Sequence, residues 1–430
     1  MVFRAMVTAP AKASPNGSIL VVGGGITGMT VAIEAADCGM DAHIVERSPS
    51  LGGRVAQLST YFPKMCPPSC GLEINYRRLR SHDRIHVHTQ SEVKRVEGSA
   101  GSFDVTIEHI PRFVRSNCTA CGSCAAKCPA HRSDPHNLGM STTKAISLPF
   151  DMAYPHRFFI DRTACENPTC TACASECPVS AIDLAEQPTT EILNVVAIVV
   201  ATGWQPYDAV KLTNLGFGTH PDIITNLMME RYASPQGPTH GKIVCPSNGR
   251  APPSVAFIQC AGSRDDTHLP YCSGVCCAVA LKQVQAVRTA LPDARIHVLY
   301  IDIRTMGRWE DLYTKARGSP NVTMVRGKVA RITVVENMPM LHVEDTLTST
   351  IENISADLVV LATGMVPSTR NEPLPFEMLV DEFGYGINQL DRTGVIFAGC
   401  ARRPFSVSES VRDASGAVLR AIQCQQARST

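Results

Sequence analysis

The sequence predicts an α/β fold of doubly wound parallel sheets that is interrupted by a small cysteine-rich insert. An apolar run near the N-terminus leads into a glycine-rich turn and then into a stretch with helical spacing. Two later apolar runs each end in Ala-Thr-Gly, and eight cysteines lie in two regular runs ahead of them. Strands that alternate with helices indicate a parallel sheet, and 430 residues are enough for two or three domains.

The composition excludes several functional classes. The formal net charge is only +1, so we expect no nucleic-acid partner. No apolar run approaches the length of about 18 residues that a membrane helix needs, so we expect no direct membrane insertion. Eighteen cysteines at metal-like spacings, without a signal-peptide pattern, indicate the reducing cytoplasm rather than a disulfide scaffold. The stretch of residues 1–17 is predicted to be a disordered lead-in.

The glycine-rich turn matches a dinucleotide-binding fingerprint. An apolar strand that begins at Ser18 leads into G-x-G-x-x-G at Gly23, Gly25 and Gly28, and a helix and a second strand ending at Glu46 follow. Gly23 permits the tight turn, Gly25 lets the backbone approach a pyrophosphate, and Gly28 allows close helix–strand packing. Glu46 can accept hydrogen bonds from a ribose. The motif alone is weak evidence, but these elements in this order favour a bound dinucleotide over a turn without a ligand.

The eight cysteines in the middle of the chain have ferredoxin spacing. The runs read C-x2-C-x2-C-x3-C and C-x4-C-x2-C-x3-C, each followed by proline. In bacterial ferredoxins three cysteines of one run bind one cluster and the fourth binds the other. We therefore predict two [4Fe–4S] clusters, one on Cys118, Cys121, Cys124 and Cys177, and the other on Cys165, Cys170, Cys173 and Cys128.

A second cysteine group follows the strand predicted over residues 254–259, and its members are Cys260, Cys272, Cys276 and Cys277. No second G-x-G-x-x-G occurs between residues 241 and 364, so we expect no NAD(P)H site. The C-x3-C-C pattern opens an apolar helix, whose N-terminal amides would stabilise a negatively charged cluster. Buried free cysteines are the alternative. Adjacent cysteines would need a bend to share a cluster, so spacing alone leaves both interpretations open.

Several longer motifs carry a resemblance to a known family. They are LGGRVAQ from Leu51, CPPSCGLEIN from Cys66, FIQCAGSRD from Phe257, YCSGVCC from Tyr271 and SVRDA from Ser410. With the two ferredoxin runs, they make nearly the whole chain resemble the A subunit of heterodisulfide reductase. The chain resembles even more its shorter relative, the A subunit of the quinone-interacting membrane-bound oxidoreductase of sulfur-metabolising bacteria.

The resemblance implies a thioredoxin-reductase-like oxidoreductase subunit, a two-dinucleotide-domain flavoprotein with FAD and an inserted two-cluster ferredoxin (α+β) domain. It also implies a third [4Fe–4S] cluster on the second cysteine group. Lys282 matches a family lysine near the reactive flavin ring, and a solvated helix residue is the alternative. The predicted FAD contacts are Gly23, Gly25, Gly28, Glu46, Arg47, Gly53, Arg54, Val93, Thr202, Gly203, Gly364, Gly399 and Cys400. The last of these stands where the family has an aspartate, so that contact must be replaced or made by backbone.

These motifs give the expected domain boundaries. The flavin domain is predicted at residues 18–112, 186–241 and 366–430, the ferredoxin insert at 113–185, and a degenerate nucleotide domain with the third cluster at 242–365. Within the insert, residues 145–150 and 158–160 are predicted to form a small sheet, and residues 134–140 a loop. Cys66 and Cys70 flank a stiff Pro-Pro turn and could bind iron, face the flavin as a redox pair or pack; packing is slightly favoured.

Three functions are compatible with these residues. The leading hypothesis is a subunit that relays electrons between the quinone pool and adenylylsulfate reductase. Its partners would be a membrane quinone-linked subunit, which would attach this cytoplasmic chain to the membrane, together with a homologous flavin/iron–sulfur subunit. The alternative is a heterodisulfide-reductase-like subunit that acts on a disulfide or a sulfur carrier. A stand-alone NAD(P)H-dependent flavoprotein, such as a relative of the small subunit of glutamate synthase, is disfavoured by the absent second fingerprint.

Overall fold

The computed structural model describes residues 17–62, 64–389 and 393–427. The predicted disordered lead-in therefore lies, apart from Gly17, outside the described residues. Helices in the described part are α1 (Ile26–Asp37), α2 (Pro68–Ser81), α3 (Ser123–Lys127), α4 (Ala172–Ser175), α5 (Asn226–Ala233), α6 (Cys276–Ala290), α7 (Glu310–Arg317), α8 (Ser368–Asn371) and α9 (Val407–Ala427). None of the described helices combines the length and apolar character that crossing a bilayer requires.

The strands are described in the same chain order. They are β1 (Ser18–Val22), β2 (Asp41–Glu46), β3 (Ile85–Thr89), β4 (Ser91–Ser99), β5 (Ser102–His109), β6 (His131–Ser133), β7 (Thr142–Lys144), β8 (Ile146–Ser147), β9 (Phe159–Ile160), β10 (Thr189–Val195), β11 (Ala197–Val200), β12 (Trp204–Pro206), β13 (Ile223–Thr225), β14 (Ser254–Ala261), β15 (Arg295–Tyr300), β16 (Val322–Arg326), β17 (Val329–Val335), β18 (Met338–Asp345), β19 (Thr350–Ser355), β20 (Leu358–Thr363), β21 (Met365–Pro367) and β22 (Val395–Phe397).

The first sheet carries the glycine-rich turn at the carboxyl end of β1. Its five parallel strands have the order β22-β11-β1-β2-β3, so three separate segments of the chain form it. One face packs against α1 and α9 through residues such as Val21, Met29 and Val418. The other face is covered by the antiparallel sheet β10-β5-β4, and Val105 and Ile107 lie in the core between them. The fingerprint turn is thus held between two packed layers.

The second sheet repeats this plan with a different covering. Its five parallel strands have the order β13-β20-β14-β15-β16. One face buries Val255 and Phe257 with Leu281 of α6, and the other buries Ala256 and Ile258 against the antiparallel sheet β17-β18-β19. The alternation along β14 explains why its sequence is apolar at nearly every position, since a parallel strand is buried on both faces.

The cysteine-rich segment leaves the antiparallel sheet after β5 and returns to it at β10, because those two strands are hydrogen-bonded neighbours. It has a small core of its own, which includes Phe113, Val114, Ile146 and Ile160. The expected pairing of the two apolar returns appears as β8 against β9. Strands β6 and β7 flank the predicted loop at 134–140 and were not predicted, because three polar residues on each side show no apolar alternation.

Two glycines test how tightly the first sheet packs against its helices. A β-carbon on Gly28 would lie 1.9 Å from the carbonyl oxygen of Gly23, whereas one on the exposed Gly416 of α9 would meet no atom within 4 Å. We expect Gly28→Ala to destabilise the fold by about 1–3 kcal/mol through overpacking. Gly416→Ala should stabilise it by up to about 1 kcal/mol through helix propensity.

Thermal unfolding midpoints measured for both variants check this pair of expectations. Equal midpoints for the two alanine variants would mean that Gly28 is not held against the turn.

Candidate functional site

A cavity of about 960 Å³ opens where the strands of the first sheet end and extends to the start of α6. Its size lies at the upper end of the range of about 300–1,000 Å³ typical of ligand sites. Ten of the predicted FAD contacts lie in its wall: Gly23, Gly25, Glu46, Arg47, Gly53, Arg54, Val93, Thr202, Gly203 and Cys400. The described site therefore brings together residues that are up to 377 positions apart in the chain, from Gly23 to Cys400.

The three glycines of the fingerprint occupy different environments. Gly23 has φ +107°, which a side chain would strain, and it makes the turn. A β-carbon on Gly25 would meet no atom within 4 Å, so this residue leaves the cavity open beside the N-terminus of α1. Gly28 packs on the turn itself and is not part of the cavity wall. This division of roles is what a bound pyrophosphate requires.

Two other predicted contacts lie behind the cavity wall. A β-carbon on Gly364 would lie 2.2 Å from Ser263 Oγ, and one on Gly399 would lie 2.2 Å from Thr27 Oγ1. Both glycines are thus close-packing positions, and the cavity is lined instead by their neighbours, Thr363, Met365 and Cys400. The Ala-Thr-Gly pattern located the strand end correctly, but it did not reveal which residue of the strand end faces the cavity.

The charged groups of the wall are arranged around the fingerprint. The Glu46 carboxylate accepts hydrogen bonds from the backbone N–H of Gly24 at 2.6 Å and of Ser48 at 2.8 Å. Arg47 forms an ion pair with Glu372. Burial lowers the pKa of the Arg54 guanidinium, and the neighbouring Arg47 lowers it further. A partly dehydrated cation next to a helix N-terminus favours an anionic ligand such as a phosphate.

Two buried polar atoms of the wall residues have no partner in the described structure, Thr202 Oγ1 and Arg132 Nε. The hydroxyl of Thr202 is buried without a hydrogen bond. Buried polar groups are almost always hydrogen-bonded. This hydroxyl is therefore available to a bound polar group, and the donor set of the cavity fits a dinucleotide with a polar ring.

An acidic side chain from α9 lies beside the end of β22, where the sequence has Cys400 in place of an aspartate. The carboxylate of Asp413, on α9, accepts a hydrogen bond from the Gly399 N–H at 2.8 Å and pairs with Arg402. Cys400 is a buried thiol that donates to the Phe405 carbonyl at 3.4 Å, and burial raises its pKa. Our sequence reasoning assigned no role to Asp413, although it lies in the SVRDA motif.

Lys282 is buried at the junction of the two halves of the molecule. Its ammonium, on a side chain that is 2% exposed, donates to the Thr60 carbonyl at 2.6 Å and to Glu230 at 2.7 Å. It also lines the cavity, so it is not a solvated helix residue. Burial alone would raise the pKa of Glu230, but Lys282 and the N–H groups of Ser59 and Gln283 bring it below its ordinary value. No pattern in the sequence indicates Glu230.

The second cysteine group converges at the N-terminus of α6. Burial raises the pKa of Cys260 to about 11, and the nearby thiols of Cys277 and Cys272 add to the rise. Burial also raises the pKa of Cys276, and the other three thiols raise it further. Cys276 lies in the wall of the large cavity, so the four-thiol group adjoins it.

Two features suit this thiol group to a negatively charged cluster. Arg264 lies close enough to lower the pKa of Cys260, and Arg304 hydrogen-bonds Cys272. The first residues of α6 are Cys276 and Cys277 themselves, so helix-terminal amides face the group. The objection that adjacent cysteines cannot share a site loses force at a helix start, where both thiols reach the same neighbours.

Six of the eight cysteines of the ferredoxin runs lie in or against the core of the insert. A small cavity of about 20 Å³ is lined by Cys165, Cys170, Cys173 and Cys128, one of the two predicted ligand sets. Burial raises the pKa of Cys124 to about 11, and the nearby thiols of Cys118, Cys173 and Cys121 raise it further. Backbone N–H groups donate to Cys118 at 3.4 Å and to Cys177 at 3.2 Å. Hydrogen bonds to sulfur are among the interactions that tune iron–sulfur clusters.

Cys66 and Cys70 lie apart from these groups at the start of α2. Cys70 is exposed and Cys66 is half-buried. Burial raises the pKa of the Tyr61 hydroxyl, and the nearby thiols of Cys66 and Cys70 raise it further. An exposed Cys70 does not suit the favoured interpretation of a packing residue.

Comparison with known proteins gives matches to oxidoreductases. A family model described as pyridine nucleotide-disulphide oxidoreductase matches residues 5–110. The chain is 36% identical to the A subunit of the ferredoxin/F(420)H(2)-dependent CoB-CoM heterodisulfide reductase of Methanosarcina acetivorans, and the match covers 98% of the chain and 54% of that relative. It is 38% identical to the iron-sulfur A subunit of the CoB–CoM heterodisulfide reductase of Methanocaldococcus jannaschii, with 93% and 63% covered. The chain thus spans roughly half to two thirds of these relatives' length.

Solved structures show the same fold. Thioredoxin reductase of T. acidophilum matches with a TM-score of 0.51 at 14% identity, covering 96% of this chain and 98% of that one. Thioredoxin reductase of Lactococcus lactis matches with 0.50 at 11%, covering 96% and 99%. The predicted thioredoxin-reductase-like, two-dinucleotide-domain α/β fold is confirmed, and so is the oxidoreductase class.

The buried Lys282–Glu230 pair gives a test of stability. Lys282→Met leaves the Glu230 carboxylate buried without a cation, and we expect a loss of about 3–5 kcal/mol. Adding Glu230→Gln should recover part of the loss, since the amide can still accept from Ser59. The matched control is Lys328→Met, which breaks an ion pair of the same length, 2.7 Å, on the surface.

The exposed pair should contribute at most about 1 kcal/mol. Denaturant midpoints of the four proteins, including the unmodified chain, measure these differences. A Lys282→Met cost no greater than that of Lys328→Met would show that the buried pair does not stabilise the fold.

Proposed function

We propose that the chain is the FAD and iron–sulfur electron-transfer subunit of a heterodisulfide-reductase-like complex that acts on a disulfide or a protein-bound sulfur carrier. The observation that carries this proposal is the contact between the large cavity and the four-thiol group through Cys276. A flavin, when bound, supplies the conversion between two-electron and one-electron transfer. The relatives named above are heterodisulfide reductase A subunits, which supports the same assignment.

The residues of the cavity would hold FAD by ordinary polar contacts. Gly25 leaves room for the pyrophosphate at the N-terminus of α1, and Arg54 adds positive charge. Glu46 would orient the ribose, and the free hydroxyl of Thr202 would hydrogen-bond the flavin. The buried Lys282 ammonium lines the wall together with its carboxylate partner Glu230 and with Cys276, so the pair adds no net charge there and Lys282 would act on the flavin ring as a hydrogen-bond donor.

The proposed clusters follow from the three thiol groups. Two clusters would be held by the crossed sets of the ferredoxin runs, within an insert at residues 113–185, and the third by the second cysteine group. The cavity lined by one crossed set and the pKa coupling of the second group support these ligand sets. A relay from the flavin through Cys276 toward the insert and a partner protein is consistent with this arrangement.

An NAD(P)H site is not part of the proposal. In a pyridine-nucleotide domain the pyrophosphate would lie at the end of β14 and the start of α6. Here the Tyr207 ring packs against Gly262, where a β-carbon would lie 2.8 Å from it, and the connection to α6 carries Cys272. The thiol group therefore takes the position where a nucleotide would bind.

The hypothesis of a quinone and adenylylsulfate reductase link rests on the resemblance of the chain alone. The relatives named above carry heterodisulfide names, so the heterodisulfide-reductase-like alternative has the better support. Attachment of a cytoplasmic chain to the membrane through a partner, and a homologous flavin/iron–sulfur partner, remain proposals within the same complex.

Iron content tests the number of clusters. Three [4Fe–4S] clusters predict about twelve iron atoms per chain, and two predict about eight. We expect Cys276→Ser to lower the count from about twelve to about eight while the flavin stays bound, because the ferredoxin runs are untouched. Metal analysis and the flavin absorbance measure both. A count near eight in both proteins would rule out the third cluster.

The proposed function is tested by measuring which electron acceptor the complex reduces. The native complex, isolated by a tag on this chain, should reduce CoB–CoM heterodisulfide or a related disulfide with a reduced viologen dye. Cys276→Ser should lower that rate at least tenfold, and Gly416→Ala, at a residue that does not line the cavity and whose β-carbon would meet no atom within 4 Å, should leave it unchanged. Reduction of a quinone analogue without disulfide reduction would favour the quinone hypothesis. Rapid flavin reduction by micromolar NADPH would overturn both.

A further inference from the structure

A group of histidines lies apart from the flavin cavity, between the first sheet and the antiparallel sheet that covers it. His88 is on β3, His109 ends β5, and Glu191 is on β10. One ligand atom from each lies within 4.8 Å of the other two. His43 of β2 adjoins the group, with its Nδ1 3.2 Å from Nε2 of His88. Neither the sequence motifs nor the proposed electron transfer accounts for this group.

The spacing of the group suits one small cation. His109 Nε2 lies 3.2 Å from the Glu191 carboxylate, and His88 Nδ1 lies 3.9 Å from the same oxygen. Two ligand atoms at about 2.0–2.1 Å from a tetrahedral zinc ion are about 3.4 Å apart. The two separations from the Glu191 oxygen lie close to that value, and the His88 and His109 ligand atoms lie within 4.8 Å of each other, so a modest movement would bring the three atoms onto one ion.

The hydrogen bonds behind His109 fix which nitrogen faces the carboxylate. The Ser91 hydroxyl donates to the Thr89 carbonyl at 3.1 Å, so its oxygen accepts from His109 Nδ1 at 2.9 Å. With Nδ1 engaged by Ser91, it is the Nε2 atom of His109 that lies 3.2 Å from the Glu191 oxygen, in the position of a ligand atom.

Each imidazole also has a partner on its far nitrogen. Ser91 holds His109, and His43 holds His88. Zinc-bound histidines nearly always have such a partner, which orients the ring and fixes the tautomer.

We propose that His88, His109 and Glu191 bind a divalent transition metal ion, best matched by Zn²⁺. Two imidazoles and one carboxylate form the donor set of zinc sites that keep a fourth position for water. The ion would join the edge strand β3 to β5 and β10. It would thereby brace the wall segment at Ser91 and Val93, which lines the large cavity.

Zinc binding to the cluster-loaded protein tests this proposal. After chelator treatment that leaves the iron content unchanged, equilibrium dialysis against Zn²⁺ should give one zinc ion per chain. We expect His109→Ala and Glu191→Gln each to weaken binding by more than 100-fold. Ser91→Ala should weaken it by about 10–100-fold, the range for loss of a group that orients a metal ligand. The matched control is His156→Ala, which removes an exposed histidine and should leave binding unchanged.

A spectroscopic measurement keeps the test independent of the variants' folding. X-ray absorption at the zinc edge of the unmodified protein should show nitrogen and oxygen neighbours, including imidazole, and no sulfur. Sulfur neighbours would place the ion on cysteines and overturn the proposal. Failure to bind Zn²⁺, or unchanged affinity in folded His109→Ala, would leave a protonated His109 paired with Glu191 and would overturn it as well.

Discussion

The buried ion pair between Lys282 and Glu230 connects the elements on which the site depends. Glu230 lies on α5 and Lys282 on α6, while the backbone of Ser59 and Thr60 belongs to the segment after the first sheet's second strand. Both charges are almost fully buried, so each must be neutralised by the other and by hydrogen bonds from the surrounding groups. Glu230 accepts from Ser59 and Gln283, and Lys282 donates to the Thr60 carbonyl. This requirement fixes α6 relative to the first sheet. The N-terminus of α6, with its thiols, is therefore held against the cavity at a defined position.

The parts of this arrangement that could be predicted from the sequence are those with a local cause. Gly23 needs a positive φ, Gly25 needs open space and Gly28 needs close packing, so the turn leaves a pattern within six residues. The apolar strands are equally local, since burial on both faces removes polar residues from a run. The cysteine runs could also be predicted from a local pattern, because cluster ligands on one short loop have a fixed spacing in the sequence.

The parts that could not be predicted depend on partners far apart in the chain. Asp413 accepts from the Gly399 N–H from another element, 14 residues later, and the sequence shows only a cysteine where an acid was expected. Glu230 looks like any polar helix residue until Lys282 is placed beside it. The histidines meet only because β3 is at the edge of one sheet and β5 and β10 lie over it. Long-range pairing of this kind leaves no periodic pattern.

In both parallel sheets a helix N-terminus follows the end of a strand, and its partial positive charge would favour a different negatively charged ligand in each. At the end of β1, glycines leave space at the N-terminus of α1, and the helix amides are free to meet a phosphate. At the end of β14, Cys260 adopts the positive φ of +57° that a turn needs, and α6 begins with two thiols. The same helix-terminal charge would there favour a thiolate cluster. The connection between strand and helix also differs, since residues 23–25 join β1 to α1 and residues 262–275 join β14 to α6. A longer connection that carries cysteines would thus let the same strand–helix arrangement hold an electron relay in place of a nucleotide.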